Sequence, residues 1–221
     1  MPAAVIFDLD GTLLDTEADF TLLLNQLLHR HDKPALPSAT VRSMVSSGAS
    51  TIVKQGFDLL DGDERLKPLL DEFLLMYEQH IPYTQASLFE NIDILIASLH
   101  SAGTPWAIMT NKARRFSAPL LTHFETFSTC AALVCPDDVG AAKPDPKGIL
   151  SICQRLALAP QQTVYVGDHP RDIEAAHNAG MAAIAVRWGY LPPEPDIKHW
   201  GASFIADSPL LLTDYLLEHI H

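Results

Sequence analysis

FDLDGTLLD, residues 7–15, closes the apolar run AAVIF (residues 3–7) and sets two carboxylates, Asp8 and Asp10, directly behind it, followed at once by Gly11 and Thr12. A strand that is apolar at every position is buried on both faces, which is the signature of a parallel sheet covered by helices. Carboxylates taken out of water stay ionised only when they are paired, hydrogen-bonded or bound to a metal. In open parallel sheets the ligand crevice lies beyond the carboxyl ends of the strands. The nine residues therefore predict both a buried first strand and a reactive edge at its end.

The same texture recurs along the chain. TPWAIM (104–109), AALVC (131–135), TVYVG (163–167) and AAIAVRW (182–188) read as further strands, and helical patterns over 91–102, 115–123, 146–158 and 171–179 lie between most of them. Strand and helix in alternation predict an α/β fold, a Rossmann-like parallel sheet flanked by helices. Residues 16–82 break the rhythm. They hold no convincing strand, and Leu66, Leu69, Leu70, Phe73, Leu74 and Tyr77 fit one helix face. The expected organisation is an α/β core of residues 1–15 and 83–221 with an inserted all-helical unit over 16–82, divided by PALPS (34–38) and returning through IPYTQAS (81–87).

Composition narrows the function classes. The 221 residues are 48% hydrophobic and 19% charged, an ordinary globular balance. Fifteen Lys and Arg against 27 Asp and Glu give a net charge of −12, which repels nucleic acid and also any small phosphate unless a local cation reverses the field. Cys130, Cys135 and Cys153 are odd in number and lack C-x-x-C spacing, so they read as reduced and structural. No apolar run approaches the roughly 18 residues of a membrane span, and the N-terminus has no basic leader, so a soluble cytoplasmic protein is expected.

Four polar clusters follow apolar runs: Asp8 with Asp10; Thr110 with Asn111; Lys143 in GAAKPDP; and Asp168 with Asp172 in VGDHPRD. Singly, each has an ordinary explanation as a helix cap, a turn or a solvated lysine. Together at strand ends they would crowd four carboxylates into one crevice, where a cation must offset their repulsion. All-oxygen ligation suits Mg²⁺, which would also keep Asp8 ionised and available as a nucleophile.

The ordered set D-x-D-G-T (8–12), T-N (110–111), K-P (143–144) and G-D-x-x-x-D (167–172) resembles the haloacid dehalogenase-like hydrolases, and the helical insertion resembles the cap of their phosphoglycolate phosphatase branch. The resemblance implies a phosphatase acting on a small phosphorylated metabolite. Asp8 is then the nucleophile, Asp10 the acid and base, and Lys143 the neutralising cation. Gly11, Thr12, Thr110 and Asn111 would hold phosphoryl oxygens. Mg²⁺ would sit on Asp8, Asp168 and the Asp10 carbonyl, with Asp172 either a ligand or behind the ligands. Asp10 separates phosphoryl transfer from carbon–halogen cleavage, because the dehalogenases lack it. Arg42, Ser46, Ser47 and Gly48 in VRSMVSSGAS resemble the cap segment that faces substrate, although an ordinary helix end fits them equally.

TNKARRF, VCPDDVGAAKPDP and VRWGYLPPEPDIKHWGASFIADSP resemble the relatives that dephosphorylate N-acetylmuramic acid 6-phosphate, leaving that compound and 2-phosphoglycolate as candidate substrates. Ala113, where many relatives have Pro, and His169-Pro170 depart from the usual pattern without removing a catalytic group. A β-phosphoglucomutase-like isomerase and a non-catalytic phosphate-sensing module stand as alternatives, and the assembly is expected to be a monomer or homodimer. His29, His31, His219 and His221 read as surface or helix-end histidines. Trp106 and Trp188 read as core, and Arg187 and Tyr190 as packing at the end of the fifth strand, with an approach to the substrate as the alternative.

Overall fold

The computed structural model describes residues 2–218; His219 and His221 lie outside them. Six parallel strands form the central sheet: β1 (Ala4–Phe7), β4 (Trp106–Met109), β5 (Leu133–Val134), β6 (Thr163–Gly167), β7 (Ala182–Val186) and β8 (Phe204–Ala206), in the order β5-β4-β1-β6-β7-β8. β1 is central, with Phe7 opposite Ile108 on one side and Val166 on the other. All four of its residues are fully buried. The chain builds one half of the sheet outward from β1 through β4 and β5, then returns to build the other through β6, β7 and β8. The carboxyl ends of β1, β4 and β6 therefore open side by side at the reversal, the usual ligand position in such sheets.

The sheet is flanked by α5 (Ile92–Ser101), α6 (Arg114–Leu121), α8 (Lys147–Leu156), α9 (Pro170–Asn178) and α10 (Pro209–Glu218), with the single turn α7 (Pro136–Val139) after β5. Trp106 is 1% exposed and meets the Phe7 ring edge-on at 6.2 Å, which fills the layer beneath α5.

Between β2 (Leu14–Asp15) and β3 (Ser87–Leu88) lie four helices and no strand: α1 (Glu17–Arg30), α2 (Ser38–Arg42), α3 (Ala49–Gly56) and α4 (Leu66–His80). β2 and β3 pair antiparallel with each other, joining the two ends of this segment. On α4, Leu69, Phe73, Met76 and Tyr77 are buried, whereas Leu66, Leu70 and Leu74 are half-buried against the same cluster. One apolar cluster runs from Phe7 and Trp106 through Leu24 and Phe73 without interruption.

The expected strands and helices fall within a few residues of those observed. The sixth strand, β8, was not expected because it is only three residues long and two of them are half-exposed. Trp106 is core as expected. Trp188 is a correction: it is half-buried, and its indole Nε1 donates to the Thr12 carbonyl at 2.9 Å. All three cysteines are unpaired.

Candidate active site

Asp8 follows β1, and its backbone N–H donates to Val166 at 2.9 Å, which holds the end of β1 against β6. Its Oδ1 lies 2.8 Å from Lys143 Nζ. The same ammonium reaches Asp172 Oδ1 at 2.7 Å and the Tyr165 hydroxyl at 2.8 Å. Lys143 is 4% exposed, and its main chain is clamped by Asn111, which accepts from the Lys143 N–H at 2.7 Å and donates to its carbonyl at 3.1 Å. Burial opposes the charge on Lys143, but Asp172 and Asp8 outweigh it and hold the ammonium above the usual lysine range.

Oxygens of Asp8, Asp168 and Asp172 all lie within 4.8 Å of one another. Burial pushes the Asp8 carboxyl up to about 7, with Asp172 adding to the rise and Lys143 opposing it. Burial, followed by the charges of Asp172 and Asp8, pushes Asp168 up to about 8. One lysine does not neutralise three carboxylates, two of them fully buried and Asp8 half-buried. Asp172 Oδ1, moreover, has Lys143 Nζ at 2.7 Å as its one charged partner. This all-oxygen, over-anionic cluster fits a hard divalent cation.

Asp10 turns to a different environment. Lys112 Nζ contacts both its oxygens, at 2.9 and 3.1 Å, and Thr16 donates to Oδ1 at 2.7 Å. The ammonium of Lys112 lies over the rings of Phe20 and Tyr77, 4.9 and 4.7 Å from their centroids. Burial works against the charge, yet Asp10 and Tyr77 hold Lys112 above the usual lysine range.

Between the sheet edge and the helical segment lies a cavity of about 290 Å³. Asp8, Asp10, Thr110, Lys112 and Lys143 form its floor, and Phe20, Val45, Leu74, Tyr77 and Phe116 form an apolar wall. Ser46, Gly48, His169 and Arg171 also face it. Burial, then the Arg171 charge, lowers His169 to about 4, so its ring is neutral.

Several expected contacts are corrected. The Gly11 and Thr12 amides do not point outward: Gly11 N–H donates to Leu14 and Thr12 N–H to Leu9, because the turn after Asp8 closes on itself. Gly11, at φ +86°, is instead required by Asp168, whose carboxylate occupies the place a Cβ would take. Asn111 has both ends of its amide committed to the Lys143 backbone, and the Thr110 hydroxyl on the cavity accepts from the Lys112 N–H at 3.1 Å. Arg42 is turned away from the cavity, paired with Asp15 at 2.9 Å and stacked over Tyr190. Ser46 rather than Ser47 reaches inward, donating to Asp168 Oδ2 at 3.0 Å. Arg187 pairs with Asp207 and takes no part.

Tyr190 does more than pack. Its N–H donates to Asp168 Oδ2 at 2.8 Å, and its hydroxyl donates to Asp15 at 2.7 Å while accepting from the Thr16 and Glu17 amides at the start of α1. Gly189 lies so close to the Gly11 carbonyl and to Asp168 that a Cβ there would overlap both. Trp188, Gly189 and Tyr190 thus strap the turn after β1, the Asp168 carboxylate and the first helix of the insertion together. Sequence reading missed Lys112, Arg171 and this strap. The available signals were a lysine directly after the T-N pair and a glycine held between two aromatics just beyond a strand.

The sequence profile of the haloacid dehalogenase-like hydrolases matches residues 5–186, spanning β1 to the end of β7. The chain belongs to the haloacid dehalogenase-like hydrolase family. This hydrolase is 38% identical over 213 residues to an N-acetylmuramic acid 6-phosphate phosphatase of Pseudomonas aeruginosa, covering 96% of this chain and 94% of that one. It is 37% identical over 208 residues to a phosphoglycolate phosphatase of Xanthomonas campestris pv. campestris, covering 94% and 93%. Among solved structures it resembles a predicted phosphoglycolate phosphatase from Haemophilus somnus 129PT, with a TM-score of 0.84 and 25% identity over 99% of this chain and 98% of that one.

Proposed function

We propose that this chain is a Mg²⁺-dependent cytoplasmic phosphatase for a small phosphorylated metabolite, with residues 1–15 and 83–221 as catalytic core and the helical unit 16–82 as its cap. The observation that carries the reading is the divergence of Asp8 and Asp10. One carboxylate stands among Lys143, Asp168 and Asp172, and the other, two residues on, faces Lys112 across the same cavity floor.

Asp8 attacks phosphorus in line, and the bond to the leaving alcohol oxygen breaks as Asp10 gives that oxygen a proton. Asp10 then takes a proton from water, which attacks the aspartyl-phosphate, releases inorganic phosphate and restores Asp8. Lys143 neutralises charge on Asp8 and the phosphoryl oxygens, and the Thr110 hydroxyl faces those oxygens. Lys112 orients Asp10. Asp8, Asp168, Asp172 and the Asp10 carbonyl would hold Mg²⁺, which supplies positive charge to the transferring group. The cap wall excludes water and meets the leaving group.

The cavity favours a sugar phosphate. A two-carbon acid leaves most of the apolar lining of Phe20, Val45, Leu74 and Phe116 uncontacted, whereas a hexosamine presents a ring face and an acetamido methyl to it. N-acetylmuramic acid 6-phosphate is therefore the preferred substrate over 2-phosphoglycolate. Phosphate release with Mg²⁺ from these two compounds, glucose 6-phosphate and a nucleoside monophosphate tests the reading, with Asp8→Asn as control. A dominant kcat/KM for the muramic acid supports it, and equal rates from wild type and Asp8→Asn would sink it.

A further inference from the structure

Arg171 is placed where the fold alone has little use for it. It is the second residue of α9, so its cation stands at the positive end of a helix, where an anion is preferred. It forms no ion pair among the described residues. The nearest carboxylate in sequence, Asp172, gives its oxygens to Lys143 and to the His169 N–H. The guanidinium does not run out into solvent. It lies along the imidazole of His169, with Nε 3.1 Å from Nδ1 and a terminal nitrogen 3.2 Å from Nε2, and is half-buried on the cavity wall.

The other cations of the cavity are occupied. Lys143 faces Asp8 and Asp172, Lys112 faces Asp10, and exposed Arg115 lies 3.9 Å from Glu78. In a chain of net charge −12, a guanidinium held by His169, facing a cavity and without an ion partner among the described residues, suits an incoming anion. On the phosphatase reading, the substrate phosphate is already met by Lys143 and Thr110. A guanidinium matches a carboxylate by paired N–H donors, a geometry a lysine lacks.

We propose that Arg171 is a specificity-determining residue that binds a second anionic group of the substrate, a carboxylate set apart from the phosphate by a body that fits the apolar wall. The proposal rests on the phosphatase reading above and narrows it to phosphorylated acids.

The test compares two phosphosugars that differ by the lactyl carboxylate, N-acetylmuramic acid 6-phosphate and N-acetylglucosamine 6-phosphate, on wild type, Arg171→Ala and Arg171→Lys. Arg171→Ala should lower kcat/KM for the muramic acid about 10- to 100-fold, the worth of a charge-assisted contact, and leave the glucosamine within about threefold. Arg171→Lys should recover part of the loss. Equal losses on both sugars would assign Arg171 to the phosphate or to the fold, and no loss on either would place it outside the site; both overturn the proposal. Calorimetric binding of the same sugars to Asp8→Asn, with and without Arg171→Ala, gives the comparison without turnover. If wild type releases no phosphate from either sugar but Asp8→Asn still binds the muramic acid through Arg171, the phosphatase reading fails and the carboxylate site stands.

Discussion

The two walls of the cavity are built on different terms. On the core wall, Asp8 and Lys143, with the fully buried Asp168 and Asp172 beside them, are held by several bonds each, and Lys143 alone meets two carboxylates and a hydroxyl. On the cap wall, Phe20, Val45 and Leu74 offer apolar surface, and polar links tie the helical unit to the core around it: Ser46 to Asp168, Arg42 to Asp15, Thr16 to Asp10, Tyr190 to the start of α1, and Asp19 to Thr84 and Gln85. A charged wall suits chemistry common to many phosphate esters, and an apolar wall suits selection among leaving groups. If this division holds, damage to the core wall should appear in kcat for every ester, and damage to the cap wall should appear in KM and depend on the ester.

The sharpest break comes from Asp8→Asn, expected to reduce phosphate release by at least about 10⁴-fold on every substrate, since the nucleophile is lost. Steady-state assays on two unrelated esters check it, and a loss confined to one of them would merge the two walls. Lys143→Ala should lower kcat/KM by about 10²- to 10³-fold and destabilise the metal-free protein by about 3 kcal/mol, because Asp8 and Asp172 lose their buried partner. Denaturant titration reads the second effect. Tyr190→Phe keeps the ring beneath Arg42 but removes the hydroxyl from Asp15 and two α1 amides. KM for the preferred sugar phosphate should rise about 5- to 20-fold with a smaller change in kcat, and hydrogen exchange at Thr16 and Glu17 should quicken.

The smallest effect concerns the cation. Folding raises the Asp8 and Asp168 carboxyls from 3.8 to about 7 and about 8, so the metal-free folded state keeps protons that the unfolded chain has released. Its stability therefore falls as pH rises through that window, whereas Mg²⁺ takes the place of those protons. The gain in Tm from Mg²⁺ over a chelator should be several degrees larger at pH 8 than at pH 5.5. A gain that shrinks with rising pH would remove Asp8 and Asp168 from the cation site.

Most of the core wall was legible in the sequence because its groups stand close behind apolar strands, Asp8 after Phe7, Thr110 after Met109 and Asp168 after Gly167, whereas Lys143 and Asp172 were legible only through the K-P and G-D-x-x-x-D patterns. Strand identity and site position are then one signal. The cap wall carried no such signal. Ser46 and Asp168 are 122 positions apart, so their meeting depends on how the helices pack and not on local pattern. For the same reason Arg42, which sits in a substrate-like segment, was drawn to Asp15 by a contact that spacing does not announce. Tyr190 looked like strand-end packing because its hydroxyl reaches the insertion 174 positions away.

The short ribbon of β2 and β3 has a consequence for the history and the engineering of this chain. Leu14 lies opposite Leu88, and Asp15 opposite Ser87, so the backbone leaves the core and re-enters it at one place. Seen from the sheet, residues 16–86 are a single excursion whose closure is set by that clasp rather than by its contents. Another helical unit of different length could end on the same clasp and keep the pairing of β2 with β3, provided that it rebuilt the apolar face and the Tyr190 contacts that this one shares with the sheet.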